Sequence, residues 1–177
     1  MQSAMGTMNA IYVRATESAK VNALRVEHPT AYTEPRSEFY AIEQQPSQFV
    51  APEAKLAILS ARLDTDVLWL GFQSVVDAFQ FHRWRSGEHR RALVFGCFGH
   101  ERTWERADGV PEEWERAAFF DAKELAHALN FANAQEALEL QRIWRDSELV
   151  AARMDPNIDS RESARKVAEY YQLPGWS

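Results

Sequence analysis

The stretch from Val67 to Phe120 constrains the fold of this chain most strongly. It contains four of the six tryptophans and seven of the ten phenylalanines, and aromatic residues are typical of β-strands. Turn-forming pairs, Ser86-Gly87 and Asp108-Gly109, divide it into short runs. A two-residue turn between two strand-like runs indicates a β-hairpin. The stretch therefore predicts a β-meander that continues to Phe120, and any binding surface is expected to lie on it.

Helical and strand patterns alternate before this meander. Strands are predicted at Ala10–Thr16, Glu38–Glu43 and Val67–Phe72, and helices at Glu17–Glu27 and Pro52–Leu63. After the meander, three pairs with capping-box spacing predict three helices: Asp121 with Glu124, Asn133 with Glu136, and Asp159 with Glu162. The end of the chain, Leu173–Trp176, is expected to dock its tryptophan onto the domain.

These elements predict a single α+β domain over residues 1–177, with a mostly antiparallel sheet and a helical C-terminal third. In this interpretation residues 10–120 form the sheet-containing core, residues 121–177 are helices packed on the sheet, and residues 1–9 are a disordered leader.

Composition narrows the classes of function. The one cysteine, Cys97, has no partner for an internal disulfide, which argues against an oxidising compartment. The sequence has neither a signal-peptide pattern at its start nor an apolar run of the roughly 20 residues that a spanning helix needs. We therefore expect a cytoplasmic protein without a membrane partner. The formal net charge of −6 argues against general nucleic-acid binding, which requires a basic footprint, but it leaves open a local basic patch at Arg83, Arg85, Arg90 and Arg91.

The hairpin around Ser86-Gly87 suggests one binding surface. A two-residue turn pairs Trp84 with His89, Arg83 with Arg90, and His82 with Arg91. Like charges directly opposite each other are unfavourable, so acids of this chain or of a partner must offset them.

Two interpretations of this hairpin remain open. In one, the tip binds an anion or an acidic partner through Arg83, Trp84, His89, Arg90 and Arg91, with Trp84 as a flat stacking surface. In the other, which is the commoner arrangement in proteins, the arginines pair with acids of this chain such as Glu88, and Trp84 packs on His89.

Asp77 is the strongest candidate for acid–base chemistry. If it shares a strand face with Val75 and Phe79, burial would raise its pKa and suit it for proton transfer. The commoner role for such an aspartate is to accept backbone hydrogen bonds at a strand end.

Histidines on successive predicted strands give a second group of candidates. His82, His89 and His100 could converge, but their spacing matches no metal motif, and neighbouring arginines disfavour a cation. We predict neither a metal nor a cofactor. Cys97 and His100 are three residues apart on one strand and point to opposite faces, so Cys97 is expected to be a buried structural residue rather than a nucleophile.

The central hairpin resembles a group of uncharacterised bacterial domains. The residues that carry the resemblance are Ser74-Val75-Val76-Asp77, Trp84, Gly87 and Arg91-Ala92-Leu93, and it covers Leu56 to Phe120. The resemblance implies the hairpin register given above and a bacterial origin, and it implies no catalytic residue.

The sequence thus predicts a non-catalytic binding domain whose partner is another protein or a second copy of this chain. Aromatic and arginine enrichment, which is typical of interface cores, is the basis of this prediction. The alternative is a small enzyme or small-molecule binder with a pocket formed by Asp77, His82, His100 and Arg91.

Overall fold

A computed structural model describes residues 6–47, 49–98, 103–120, 122–146 and 159–176. Six strands form one antiparallel sheet in the order β2-β1-β3-β4-β5-β6. Their bounds are β1 (Thr7–Arg14), β2 (Phe39–Glu43), β3 (Asp66–Gln73), β4 (Ala78–Arg85), β5 (Glu88–Phe95) and β6 (Trp104–Gly109). The helices are α1 (Ser18–Glu27), α2 (Glu53–Leu63), α3 (Glu113–Phe119), α4 (Ala122–Leu129), α5 (Ala134–Asp146) and α6 (Ser160–Tyr171). The α+β class is confirmed.

Helices cover both faces of the sheet. On the face that we call the α6 face, α3 and α6 pack over a core that includes Tyr12, Leu68 and Phe81. On the opposite face, which we call the α2 face, α1 and α2 cover a second core that includes Val67 and Trp69. Because successive side chains of a strand point to opposite faces, β3 contributes to both cores and is buried along almost its whole length. None of the described helices is both long and apolar enough to cross a membrane.

Several sequence predictions about the helical third are confirmed. Asn133 Oδ1 accepts a hydrogen bond from the Glu136 backbone at 3.0 Å, and Asp159 Oδ1 accepts one from the Glu162 backbone at 2.9 Å. The predicted pair at Asp121 lies at a residue outside the described ranges. Trp176 docks as expected, because its Nε1 donates to the Tyr12 hydroxyl at 2.9 Å.

Two predicted boundaries are wrong. Residues 114–120 do not complete the meander, because Glu112 and Glu115 form a reciprocal capping box that begins α3. The meander ends at Gly109. At the other end of the sequence, residues 7–9 are part of β1 rather than of a disordered leader, and Asn9 is buried. Residues 1–5 lie outside the described ranges.

The turn between β3 and β4 corrects the interpretation of Asp77. Gln73 pairs with Ala78, so Ser74–Asp77 form the turn and Val75 and Val76 are exposed. Asp77 itself is half-buried in the left-handed backbone region, with φ of 54°. It therefore does not share a strand face with Phe79, and the arrangement that the sequence suggested for proton transfer does not form.

A β-bulge changes the register of the Ser86-Gly87 hairpin. Trp84 pairs with His89 as predicted, but beyond that pair the register shifts by one, and Arg83 pairs with Arg91. Arg90 is the extra residue of the bulge. Since a shift of one residue moves side chains to the other face, Arg91 lies on the α6 face instead of beside His82.

Candidate functional site

A cleft of about 450 Å³ opens on the α6 face, at the end of the sheet opposite the Ser74–Asp77 turn. Its polar lining consists of four arginines, two acids and the C-terminal end of α6: Arg14, Arg36, Arg83, Arg85, Glu38, Asp66 and Tyr170–Gln172. Four arginines against two acids leave an excess of positive charge in a protein whose formal net charge is −6. We call it the arginine cleft.

Strand alternation brings these side chains to the same face. Tyr12, Leu68 and Phe81 are in the α6-face core. On the same face, two residues nearer the cleft, lie Arg14, Asp66 and Arg83, and Arg85 follows two residues beyond Arg83. On this face, the strand residues in the core are apolar, and the strand residues at the cleft are charged. Arg36 comes from the connection between α1 and β2.

Asp66 organises the arginines of the cleft. Its Oδ1 accepts a hydrogen bond from Arg83 Nε at 2.9 Å, while Arg14 Nη1 and Arg85 Nη1 lie 3.8 and 3.9 Å from its Oδ2. Only 7% of the Asp66 side chain is exposed. The buried Asp66 carboxylate thus lies within 4 Å of the guanidinium groups of three arginines.

Glu112 fixes Arg83 from the other side. Its Oε1 accepts from Arg83 Nη1 at 3.0 Å and its Oε2 accepts from Trp114 Nε1 at 2.9 Å and from the Tyr171 hydroxyl. Burial and the nearby Glu112 carboxylate raise the pKa of Tyr171, so this phenol stays protonated and donates. Arg83 is therefore a rigid wall of the cleft.

The other arginines have more capacity for a ligand. Arg36 is exposed and forms no ion pair with any residue in the described ranges. The Arg85 side chain is 57% exposed, with Asp66 at 3.9 Å as its ion-pair partner. Arg14 pairs with Glu38 at 2.5 Å. Each guanidinium has five N–H donors, so donors remain that can face the cleft.

The binding tip predicted from the hairpin is not formed. Trp84 is 2% exposed and stacks on His89 with ring centroids 4.5 Å apart and an interplanar angle of 6°. Arg90 pairs with Glu88 at 2.5 Å on the surface. The alternative interpretation, in which the arginines pair with acids of this chain and Trp84 packs on His89, is the one observed.

Of the three arginines predicted to form the binding tip, Arg83, Arg90 and Arg91, the most buried is Arg91. Its Nε and Nη2 donate to the two carboxylate oxygens of Glu115 at 2.8 and 2.5 Å, and its Nη1 donates to the backbone of Asp108 and Gly109. Both side chains are almost completely buried. Arg91 thus anchors α3 to the sheet and has no access to a ligand.

The members of the predicted catalytic pocket that lie in the described ranges are not brought together either. His82 lies on the α2 face, Arg91 lies on the α6 face, and Asp77 lies in the turn at the end of the sheet. His100 lies outside the described residues.

His82 does meet another histidine. Its Nδ1 is 3.3 Å from His89 Nε2, and Glu53 at the start of α2 approaches the pair, with Oε2 3.9 Å from His89 Nδ1. Burial, and secondarily the adjacent His89 and Arg106, lower the pKa of His82 to about 3. Burial also lowers the pKa of His89. Both imidazoles are therefore neutral at pH 7.

Cys97 shows no sign of activation. Burial raises the pKa of its thiol to about 11, and its Sγ donates to the carbonyl oxygens of Phe79 at 3.5 Å and Phe95 at 3.2 Å. A thiol that stays protonated at neutral pH is a poor nucleophile. Cys97 is half-buried rather than fully buried as predicted, and its environment is compatible with the structural role expected from the sequence.

Sequence reasoning missed most of the arginine cleft. Arg83 and Arg85 were identified, but in the wrong surroundings, and Arg14 and Arg36 were not identified. A local signal existed in the charged residues that alternate with the apolar ones where each strand ends. These strand ends come together because β1 lies between β2 and β3 in the sheet. No local sequence pattern predicts that strand order.

Comparison with protein-family models, curated proteins and solved structures finds no match to this chain. The resemblance of the hairpin to uncharacterised bacterial domains therefore stays a prediction, and function is argued from the geometry.

Proposed function

We propose that this protein is a non-catalytic binding domain that recognises an anionic group, a carboxylate or a phosphate, in the arginine cleft. The observation that carries the proposal is the convergence of four arginines on one cleft of an acidic protein. We therefore propose for the binding function a different site from the hairpin tip that the sequence suggested.

The size and chemistry of the cleft support a small anion or an anionic part of a larger ligand. Its volume of about 450 Å³ falls within the range of small-molecule sites, about 300–1,000 Å³. Guanidinium groups donate paired hydrogen bonds to carboxylate and phosphate oxygens. Arginine does not exchange protons at physiological pH, so the cleft favours recognition over proton transfer.

The ligand would bridge the arginines that are least engaged. Asp66 and Glu112 hold Arg83 in place, whereas Arg36 and Arg85 are exposed and can close on an anion from two sides. Tyr170, which is 48% exposed, supplies an aromatic surface and a hydroxyl beside them. A ligand with an anionic group next to an apolar part fits this arrangement.

Isothermal titration with inorganic phosphate and with succinate, at constant ionic strength, tests the proposal and separates phosphate from carboxylate ligands. The variants Arg36→Gln and Arg85→Gln should each weaken binding about 10–100-fold, because a hydrogen bond to a charged group contributes about 1.5–3 kcal/mol. The matched control is Arg62→Gln, an exposed arginine of α2 that pairs with Glu27. Absence of saturable binding, or equal affinity in all three variants, would overturn the proposal.

The prediction of a protein partner loses its original basis. It relied on aromatic enrichment, and most of those aromatic side chains lie in the two cores, including Trp69, Trp84 and Phe81. An anionic group carried by a protein remains compatible with the cleft. The cytoplasmic location and bacterial origin stay predictions from the sequence.

A further inference from the structure

We propose that Glu53, His82 and His89 form a binding site for a divalent metal ion of the zinc type, on the α2 face of the sheet. Each of the three side chains offers one ligand atom, and these atoms all lie within 4.8 Å of one another. The site is separate from the arginine cleft and does not depend on the function proposed for it.

The spacing of the two imidazoles matches chelation. His82 Nδ1 and His89 Nε2 are 3.3 Å apart. Two nitrogens bound tetrahedrally to zinc at about 2.0–2.1 Å lie about 3.3–3.4 Å from each other. A metal ion can therefore bind between these nitrogens without separating the strands β4 and β5.

The surroundings fix the histidines in this arrangement. His82 is buried, and Trp84 stacks against both rings with interplanar angles of 8° and 6°. The stacked rings limit rotation about the side-chain bonds, so little conformational freedom remains to be lost on binding. Oriented ligands of this kind raise metal affinity.

Glu53 supplies the third ligand from the first turn of α2. Its Oε1 accepts a hydrogen bond from Arg106 Nη1 at 2.7 Å, and its Oε2 lies 3.9 Å from His89 Nδ1, while the other ring nitrogen of His89, Nε2, faces His82. The carboxylate is thus held through one oxygen and offers the other, which is a common outer-shell arrangement at metal sites. Its side chain is 44% exposed, so a rotamer change can bring Oε2 into coordination and solvent can deliver the ion.

The charge balance permits a cation. Arg106 lies close to the site, but Glu53 and Asp108 both pair with it at 2.7 Å and compensate its charge. Two imidazoles and one carboxylate form a donor set that suits zinc, and three protein ligands leave a fourth position for water. His100, which the sequence suggested as the third histidine, is not required.

A hydrogen bond between the two imidazoles would give the same 3.3 Å separation, and metal titration distinguishes the two cases. The protein is first dialysed against a chelator and then titrated with ZnCl₂ by calorimetry, with Co²⁺ as a spectroscopic probe. We expect one ion per chain with a dissociation constant in the micromolar range or tighter. Intense visible absorption by the Co²⁺ complex would identify tetrahedral coordination.

Three variants assign the ligands. His89→Gln and Glu53→Gln should each weaken zinc binding at least tenfold, whereas His127→Gln, the same change at an exposed histidine of α4, should leave it unchanged. If circular dichroism shows that His89→Gln does not fold, Glu53→Gln decides, because its side chain is on the surface. No saturable binding at one site, or wild-type affinity in Glu53→Gln and in any folded His89→Gln, would overturn the proposal.

Discussion

On the α6 face, buried charges lie in pairs. Arg91 is matched by Glu115, and Arg83 by Asp66 and Glu112. On the α2 face, the strands bury the neutral polar side chains of Asn9, Gln80 and His82 and the indole N–H of Trp69, and all but His82 have an atom without a hydrogen-bond partner among the described residues. One sheet thus presents two chemical environments, a charged one in which arginines face acids and a neutral one in which the two imidazoles of His82 and His89 meet.

The largest effect should come from removing one member of the buried pair on the α6 face. Glu115→Ala leaves Arg91 buried without its carboxylate, which should lower the free energy of unfolding by about 3–5 kcal/mol. Denaturant titration followed by circular dichroism measures this. The double variant Arg91→Met/Glu115→Leu should recover much of the loss, because an apolar pair of similar size carries no uncompensated charge. If Glu115→Ala costs less than about 1 kcal/mol, the contrast between the faces fails.

Cys97 tests the neutral environment, because its thiol lies beside Gln80 and burial raises its pKa to about 11 from 9.0. Thiolate is the reactive form, so at pH 7.5 the folded protein should react with iodoacetamide at least about 100-fold more slowly than the denatured protein. With rising pH the folded-state rate should still climb steeply at pH 10, whereas the denatured-state rate should approach its plateau there, since about nine-tenths of an ordinary thiol is ionised one unit above its pKa. A plateau for the folded protein below pH 9 would contradict this environment.

Asp66→Asn tests whether the arginines of the cleft depend on an acidic partner, as the buried Arg91 depends on Glu115. Removing the carboxylate leaves three guanidinium groups close together, and the free energy of unfolding should fall by about 1–3 kcal/mol. Added phosphate should restore part of this loss and should bind the variant more tightly than the wild type, since a ligand that binds the folded state stabilises it. Glu38→Gln, at the exposed partner of Arg14, is the control and should cost less than about 1 kcal/mol. Unchanged phosphate affinity in Asp66→Asn would separate Asp66 from the binding site.

The sequence predicted the secondary structure well where local chemistry decides it. The capping residues Asn133 and Asp159 begin their helices as expected, and Ser86-Gly87 forms its turn. The sequence-based prediction failed where the structure depends on pairing between residues that are distant in the sequence or on an irregular strand register. The bulge at Arg90 reverses the face of Arg91, and neither the turn nor the strand pattern contains that information.

The two candidate sites were less predictable than the fold for the same reason. The arginine cleft depends on β1 lying between β2 and β3, which brings Arg14 beside Asp66. The histidine site depends on α2 packing across β4 and β5, which brings Glu53 to His89. Each site combines side chains from distant parts of the sequence, so spacing along the chain carries no signal for it.

The smallest effect is expected at Arg90, which the sequence placed at the centre of a binding tip. The structure gives it one surface pair with Glu88, with both side chains more than half exposed. Exposed pairs of this kind contribute about 0–1 kcal/mol, so Arg90→Gln should change the free energy of unfolding by less than about 0.5 kcal/mol in denaturant titration. Phosphate affinity should also be unchanged, because Arg90 does not line the cleft. A clear loss of phosphate binding in this variant would move the anion site back to the hairpin tip and remove the distinction between Arg90 and the cleft arginines.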